Sequence, residues 1–255
     1  MPLHETESIV LKSYNLAEAD RIVVFFTRSF GVIRGVAKGA RRTRSKFGSS
    51  LEPFSEVSLE YFQKDDRELV SVQRAELIRS AFSSAAEPDR LATYSHLADL
   101  LLVFAPPHDP NETMYRMFRA SLETELPGPD DHTGLILYFK VWLLRLGGYL
   151  PDWRTCASCR RDFADAESAT LTSGSQLLCG SCLRSRAGET VSPIHRAVFH
   201  NVQKLSPTDF VASVRDDRDA VKEVSIIIER IVAAATGREP RDPSWIGKMH
   251  LTTYR

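Results

Sequence analysis

Hydrophobic and polar positions alternate through the first eighty residues, and from Pro88 the apolar positions recur every three or four residues. The chain therefore changes from strand to helix patterning near residue 80. Glu7–Tyr14, Arg21–Thr27, Gly31–Ala37, Phe54–Phe62 and Leu69–Val72 read as five strands. In the fourth, Val57, Leu59 and Tyr61 alternate with Glu56, Ser58 and Glu60, the period of a strand with one wet face. Five short strands with glycine punctuation predict a small antiparallel barrel, and an SH3-like barrel fits the count almost as well.

Beyond Pro88, Leu91, Tyr94, Leu97, Ala98, Leu101 and Leu102 mark one helix face, and Pro106-Pro107 stops it. A second helix runs from an Asn111 N-cap to about Leu126. Leu135–Leu146 is apolar nearly all round, which predicts a core helix ended by Gly147-Gly148. A further helix spans about Pro193 to Leu205. The last, Arg218 to Ala235, carries Val221, Val224, Ile228, Ile231 and Val232 on one face and is closed by Gly237 and Pro240. The organisation is thus a barrel at 1–80, helical segments at 81–151 and 191–240, a cysteine-bearing insert at 152–190, and a tail at 241–255.

The chain contains four cysteines in two pairs, Cys156-x-x-Cys159 and Cys179-x-x-Cys182, with nineteen residues between them. A two-residue gap lets two thiolates bend round one ion, and two such knuckles complete a tetrahedral sulfur site. Residues 160–178 are too polar to form a core, so metal binding supplies the energy that segment lacks. Disulfides or chance spacing are the alternatives. Rubredoxin-type iron uses the same ligands, but no glycine follows Cys159 or Cys182. With sulfur at all four positions the expected ion is structural Zn2+, since catalytic zinc keeps a position open for water.

Formal charge is zero, from 33 basic and 33 acidic residues. That argues against a wholly basic nucleic-acid-binding chain, yet the average hides a segregation. Between Asp20 and Glu52 no acid occurs, while Arg21, Arg28, Arg34, Lys38, Arg41, Arg42, Arg44 and Lys46 do. Five of these fall in the strand connection Lys38–Lys46, a loop suited to a phosphate backbone. A solvated hairpin is the bland alternative. Phe26, Phe47, Phe54, Tyr61 and Phe62 lie nearby, and Phe47, inside the polar loop, is the candidate for base stacking, with core placement its alternative. The first residues lack a secretory pattern and no apolar run suits a bilayer, so a cytoplasmic, nucleoid-associated protein is expected.

These pieces, in this order, resemble the bacterial RecO family of recombination mediators. The resemblance rests on Ile9-Val10-Leu11-Lys12, Ala19-Asp20-Arg21-Ile22-Val23, Phe26-Thr27-Arg28-Ser29-Phe30-Gly31, Val36–Arg42, Leu51-Glu52-Pro53-Phe54, and Gly147–Pro151 leading into the first cysteine pair. It implies an α+β chain: an N-terminal OB-fold, then a helical domain carrying a four-cysteine zinc finger. It also implies binding of single- and double-stranded DNA, annealing of complementary strands, and capture of the tail of single-stranded DNA-binding protein. With RecR, such proteins help load RecA. On this reading Arg34, Lys38, Arg41, Arg42, Arg44 and Lys46 are the DNA-binding candidates. An acidic, apolar-ended tail calls for a pocket rimmed by cations, for which Arg116, Arg119, Lys140 and Arg145 are candidates. Arg160 departs from the family pattern, which often has glycine after the first cysteine pair.

An enzyme is the contrasting class. No phosphate-binding loop, Gly-x-Ser-x-Gly, His-Glu-x-x-His or deaminase signature occurs. His195 and His200 are five apart and face differently, and Asp130-Asp131 and Asp216-Asp217 read as helix-start acids. The expected protein has no catalytic residues, no small-molecule substrate and no membrane partner. A zinc-ribbon adaptor that binds only proteins is the alternative if the basic loop is idle.

Overall fold

A computed structural model describes residues 2–63, 68–80, 87–183 and 188–237; Pro240, His250 and the 241–255 tail lie outside the described residues. The chain separates into two compact units, the first reaching Glu123 and the second beginning at Thr124.

In the first unit, β1 (Leu3–Leu16), β2 (Asp20–Thr27), β3 (Gly31–Ala37), β4 (Glu56–Phe62) and β5 (Leu69–Arg79) close into a barrel in the order β1-β2-β3-β5-β4. β1 serves two neighbours: its later part pairs with β2, Tyr14 opposite Ile22, and its earlier part with β4, Leu3 opposite Phe62. A register shift between Val10 and Lys12 bends the strand as it changes partners. β3 and β5 run parallel, with Arg34 opposite Leu69. That order and its parallel seam identify an OB-fold and remove the SH3-like alternative. Val23, Phe25, Ile33, Val57, Leu59, Val70 and Val72 fill the interior.

The outer face of β2 and β3 is also apolar at Val24, Phe26 and Val32, all buried. Two helices of the same unit, α1 (Pro88–Phe104) and α2 (Glu112–Glu123), accompany that face. Phe26 lies 5.7 Å from Tyr115 and 6.3 Å from Phe118, centroid to centroid, and Lys12 reaches Asp99 on α1 at 2.5 Å. The need to cover this face explains why the compact-unit boundary follows Glu123, well after the change of period at residue 80. Asn111 caps α2 as expected, its Oδ1 accepting the Met114 N–H at 2.9 Å.

The second unit is built on α3 (Pro129–Leu146), which packs against α4 (Pro193–Val202), α5 (Pro207–Ser213) and α6 (Arg218–Thr236). Every residue from Gly134 to Val141 is buried, as the all-round apolar pattern requires. The helix begins before its apolar run, with Pro129 at its start and the Asp131 carboxylate accepting the Gly128 N–H at 2.9 Å. Asp130 and Asp131 are thus acids in the first turn of the helix. α5 escapes sequence reading because seven residues hold no clear period, though Ser206-Pro207 marks its start: Ser206 Oγ accepts the Asp209 N–H at 3.2 Å. Gly237 ends α6 at φ +64°, a left-handed turn glycine adopts freely.

Between α3 and α6, Lys140 Nζ and Glu229 Oε2 meet at 2.5 Å, their side chains 9% and 11% exposed. Removing one partner strands a charge in a low-dielectric core, whereas replacing both does not. Glu229→Leu alone, which strands the Lys140 ammonium, is therefore expected to cost about 3–5 kcal/mol in urea unfolding. Lys140→Met combined with Glu229→Leu should lie within about 1 kcal/mol of the parent, or above it.

Candidate metal centre and nucleic-acid interface

The cysteine module is a short sheet, β7 (Leu177–Leu178), β6 (Ala169–Leu171) and β8 (Glu189–Val191) in that order, with a knuckle at each cysteine pair. Backbone bonds stitch the knuckles together: Ala157 N–H donates to Leu177 O and Cys156 N–H to Arg161 O, each at 2.9 Å. Cys182 N–H closes the second knuckle on Cys179 O at 3.0 Å. The four sulfurs consequently converge, all within 4.8 Å of one another, with Cys159 and Cys179 Sγ 3.9 Å apart. No disulfide joins any of them. Tetrahedral bonds of about 2.3 Å require sulfur separations near 3.8 Å, so this cluster could hold one metal ion.

The thiols also show the strain of four acids sharing one space. Burial pushes the Cys156 thiol up, but backbone amides of Cys159, Cys179 and Ser158 outweigh it and bring it down to about 6. Cys182 moves the other way, up to about 11: Ser158 favours its thiolate, but hydrogen bonds with Cys179 and Cys159 and burial hold the proton. A cation at the centre would remove that conflict.

The module is tied to the helices of its own unit. Arg196 on α4, buried, donates through Nη2 to Ala164 O and Glu167 O, both at 2.7 Å, and lies over the Phe163 ring at 5.1 Å. Trp153, fully buried, stacks on Phe199 of α4 at 4.3 Å. Neither residue was among the sequence candidates; a tryptophan three residues before the first cysteine was the available signal.

On the barrel, the Lys38–Lys46 loop is pinned to the β1–β2 turn by backbone. Gly39 N–H donates to Asp20 Oδ1 at 2.8 Å, and Arg41 N–H to Ala19 O at 2.9 Å. Arg41 Nη1 reaches Ala17 O at 2.9 Å, and Lys46 Nζ reaches Gln73 O at 2.5 Å. Lys38, Arg41, Arg42, Arg44 and Lys46 are all exposed, and among the described residues none makes an ion pair. The strand cations differ. Arg21 pairs with Glu52 at 3.1 Å, Arg28 with Glu7 at 3.2 Å and Glu112 at 2.6 Å, and Arg34 with Glu68 at 3.6 Å. Asp20, the last acid before the basic stretch, is the anchor that sequence reasoning passed over.

One open reading is decided and one expectation needs correction. Phe47 is 4% exposed and belongs to the barrel core, where it and Leu51 plug the interior, so it offers no face to a base. Lys140 is held in the buried pair with Glu229 and cannot rim a surface pocket. Of the remaining partner candidates, Arg119 pairs with Glu56 at 3.2 Å and with Glu123 at 3.3 Å on the first unit. Arg116 is exposed on α2, and Arg145 is exposed on α3, its guanidinium 4.8 Å from the Trp142 ring.

The comparisons agree with this architecture. Residues 1–81 match the family model for the N-terminal domain of recombination protein O, and residues 85–242 match that for its C-terminal domain. The DNA repair protein RecO of Rubrobacter xylanophilus is 30% identical over 239 residues, covering 93% of this chain and 94% of that protein. Its counterpart in Thermodesulfovibrio yellowstonii is 33% identical over 209 residues, 80% of each chain. That of Koribacter versatilis is 34% identical over 163 residues, 64% of this chain and 66% of the relative.

Arg160, where glycine was expected, adopts φ +64°, and its N–H still closes the knuckle on Cys156 O at 2.9 Å. A left-handed non-glycine residue is strained by about 1–2 kcal/mol. Arg160→Gly is therefore expected to keep its metal content and gain up to about 1 kcal/mol in denaturant unfolding, the larger backbone entropy of glycine offsetting part of the relief.

Proposed function

This chain belongs to the RecO family of DNA repair proteins, and from that premise we propose that it is a recombination mediator. It binds single- and double-stranded DNA, anneals complementary strands and, with RecR, helps load RecA onto DNA coated by single-stranded DNA-binding protein. The observation that carries this reading is the Lys38–Lys46 loop: fixed to the barrel through its backbone, with its cations exposed and free of acids among the described residues. A loop serving solubility alone would need neither the anchoring nor the one-signed charge. Lys38, Arg41, Arg42, Arg44 and Lys46 neutralise phosphates, and Arg34 joins them by exchanging Glu68 for the backbone of the strand.

Annealing needs no catalytic group on this reading. A strand whose phosphates are neutralised repels its complement less, so pairing proceeds from binding energy alone. Recruitment to coated DNA rests on capture of the acidic tail of single-stranded DNA-binding protein. Arg116 and Arg145 are the exposed candidates that remain for it. We assign the four-cysteine cluster one Zn2+, held by Cys156, Cys159, Cys179 and Cys182. When bound, zinc acts as a structural cross-link and stabilises the thiolate form of all four ligands. No described helix is long and apolar enough to cross a membrane, and metal-binding thiols suit a reducing cytoplasm at the nucleoid.

The metal assignment predicts one zinc per chain by elemental analysis and sulfur neighbours at about 2.3 Å by X-ray absorption. Cys159→Ser or Cys182→Ser should lose it and destabilise the second unit.

The DNA assignment predicts a steep salt dependence. Each single-strand phosphate neutralised adds about 0.7 to the slope of log affinity against log salt. Replacing Arg41, Arg42 and Arg44 together by alanine should therefore flatten the slope by about two. The parent should speed fluorescence-detected pairing of complementary strands without ATP. Parental binding and annealing by the triple variant across salt would refute the loop assignment. An absolute need for ATP would refute the binding-energy mechanism.

A further inference from the structure

With Phe47 inside the barrel, the loop brings charge to a nucleic acid but no surface for its bases. The outer face of the sheet supplies one. Tyr14 on β1 is opposite Ile22 on β2, Ile22 opposite Val36 on β3, and Val36 opposite Ser71 on β5. Their neighbours Val23, Ala37, Val70 and Val72 point into the core, so by strand alternation this row points outward. Leu69, two residues from Ser71 on β5, extends the patch and is 37% exposed.

Farther down the same face, Val24, Phe26 and Val32 are buried beside α2 and Pro107. The row at Tyr14 is open: Tyr14 is 50% exposed, and Ile22 and Val36 are half-buried. A singly exposed apolar residue means little, but adjacent ones in cross-strand register form a surface. At about 4.8 Å between strands, the row from Tyr14 to Ser71 spans about 14 Å.

Both ends of the basic loop's anchorage border this row. Val36 lies two residues before Lys38, and Tyr14 lies three before Ala17, whose carbonyl accepts the Arg41 guanidinium. Phosphate-binding charge and an open aromatic therefore sit on one end of the barrel. A peptide or lipid would use the apolar strip but gives no account of the acid-free loop beside it, whereas a single nucleic-acid strand uses both.

We propose that Tyr14, on the Ile22–Val36 strip, is the base-stacking residue by which this barrel distinguishes single-stranded from duplex nucleic acid. The proposal rests on the DNA-binding reading above and deepens it. In a duplex the base faces are stacked on one another and closed to Tyr14, so duplex binding draws on the loop alone. In a single strand the bases are open, and an aromatic platform accepts any of them.

The test uses the full chain, a fluorescent oligothymidine and a duplex of the same length, titrated at several salt concentrations. Tyr14→Ala is expected to weaken single-strand binding by about 5- to 150-fold, the range for loss of one stacked base. Its salt slope and duplex affinity should match the parent, so the preference for single strands falls by the same factor. Tyr14→Phe keeps the ring and should restore binding. Quenching of tyrosine emission by the oligomer should be smaller in Tyr14→Phe than in the parent. Parental single-strand affinity in Tyr14→Ala, with the Arg41, Arg42 and Arg44 variant still losing salt slope, would overturn this proposal and leave the DNA-binding reading standing. An equal loss on single strand and duplex would also overturn it. Failure of the parent itself to bind either nucleic acid would overturn both.

Discussion

Closure of the five-stranded barrel through β1 governs what the first unit can present to a partner. β1 pairs with β2 over one stretch and β4 over another, and the parallel seam between β3 and β5 joins the remaining edges. Closing the interior demands close approach, and Gly35 permits it: a Cβ there would lie 2.6 Å from Val72 Cγ2. The same closure obliges the chain to travel from the end of β3 to the start of β4 through a long connection. Two apolar members of that connection, Phe47 and Leu51, are taken into the core. Its cations are left outside, held where they are by the carbonyls and carboxylate of the β1–β2 turn. Exposure of the basic residues is thus a consequence of how the barrel is plugged.

Much of this was legible in the sequence because the periods are strong. Alternation in β4, the acid-free run from Arg21 to Leu51 and the two cysteine knuckles each stood out in the sequence, although a solvated hairpin stayed open for the basic run and disulfides for the cysteines. Phe47 stayed open between stacking and core because a lone aromatic among arginines suits either; only the barrel's open end, a tertiary feature, draws it inward. Lys140 misled for the converse reason. A lysine in an apolar helix has no local partner, and Glu229 lies far along the chain on another helix. The Tyr14 row was illegible for a related reason. Its members come from four strands and become neighbours only through register.

The cations on and around the barrel sort by what opposes them. Arg28 is held between Glu112 and Glu7, whose hydrogen bonds push its guanidinium pKa up and draw that of Glu112 down. Such exposed pairs contribute little to the stability of a fold, because solvent screens them. Their larger effect here is to remove Arg21 and Arg28 from the charge available to a ligand. The loop cations keep theirs. A chain of zero net charge can in this way offer a concentrated positive surface, since attraction at phosphate distances is set by charges within a Debye length of about 8 Å, not by the sum over the molecule.

In the second unit, an ion at the four-cysteine cluster would decide a contest that propensity alone would lose. Residues 160–178 have few apolar side chains, β7 is two residues long, and Arg160 sits in a left-handed conformation glycine would take without strain. That strain amounts to about 1–2 kcal/mol. A four-sulfur zinc site contributes on the order of 10 kcal/mol or more at neutral pH. Such a site would tolerate an unfavourable knuckle residue several times over, and the arginine keeps its backbone bond to Cys156. The Arg196 contacts act at a different level: two carbonyls and the Phe163 ring, gripped from α4, fix the module's orientation on the helices of its own unit. Metal binding would make the module a folded body, and Arg196 with Trp153 makes it part of the second unit's core.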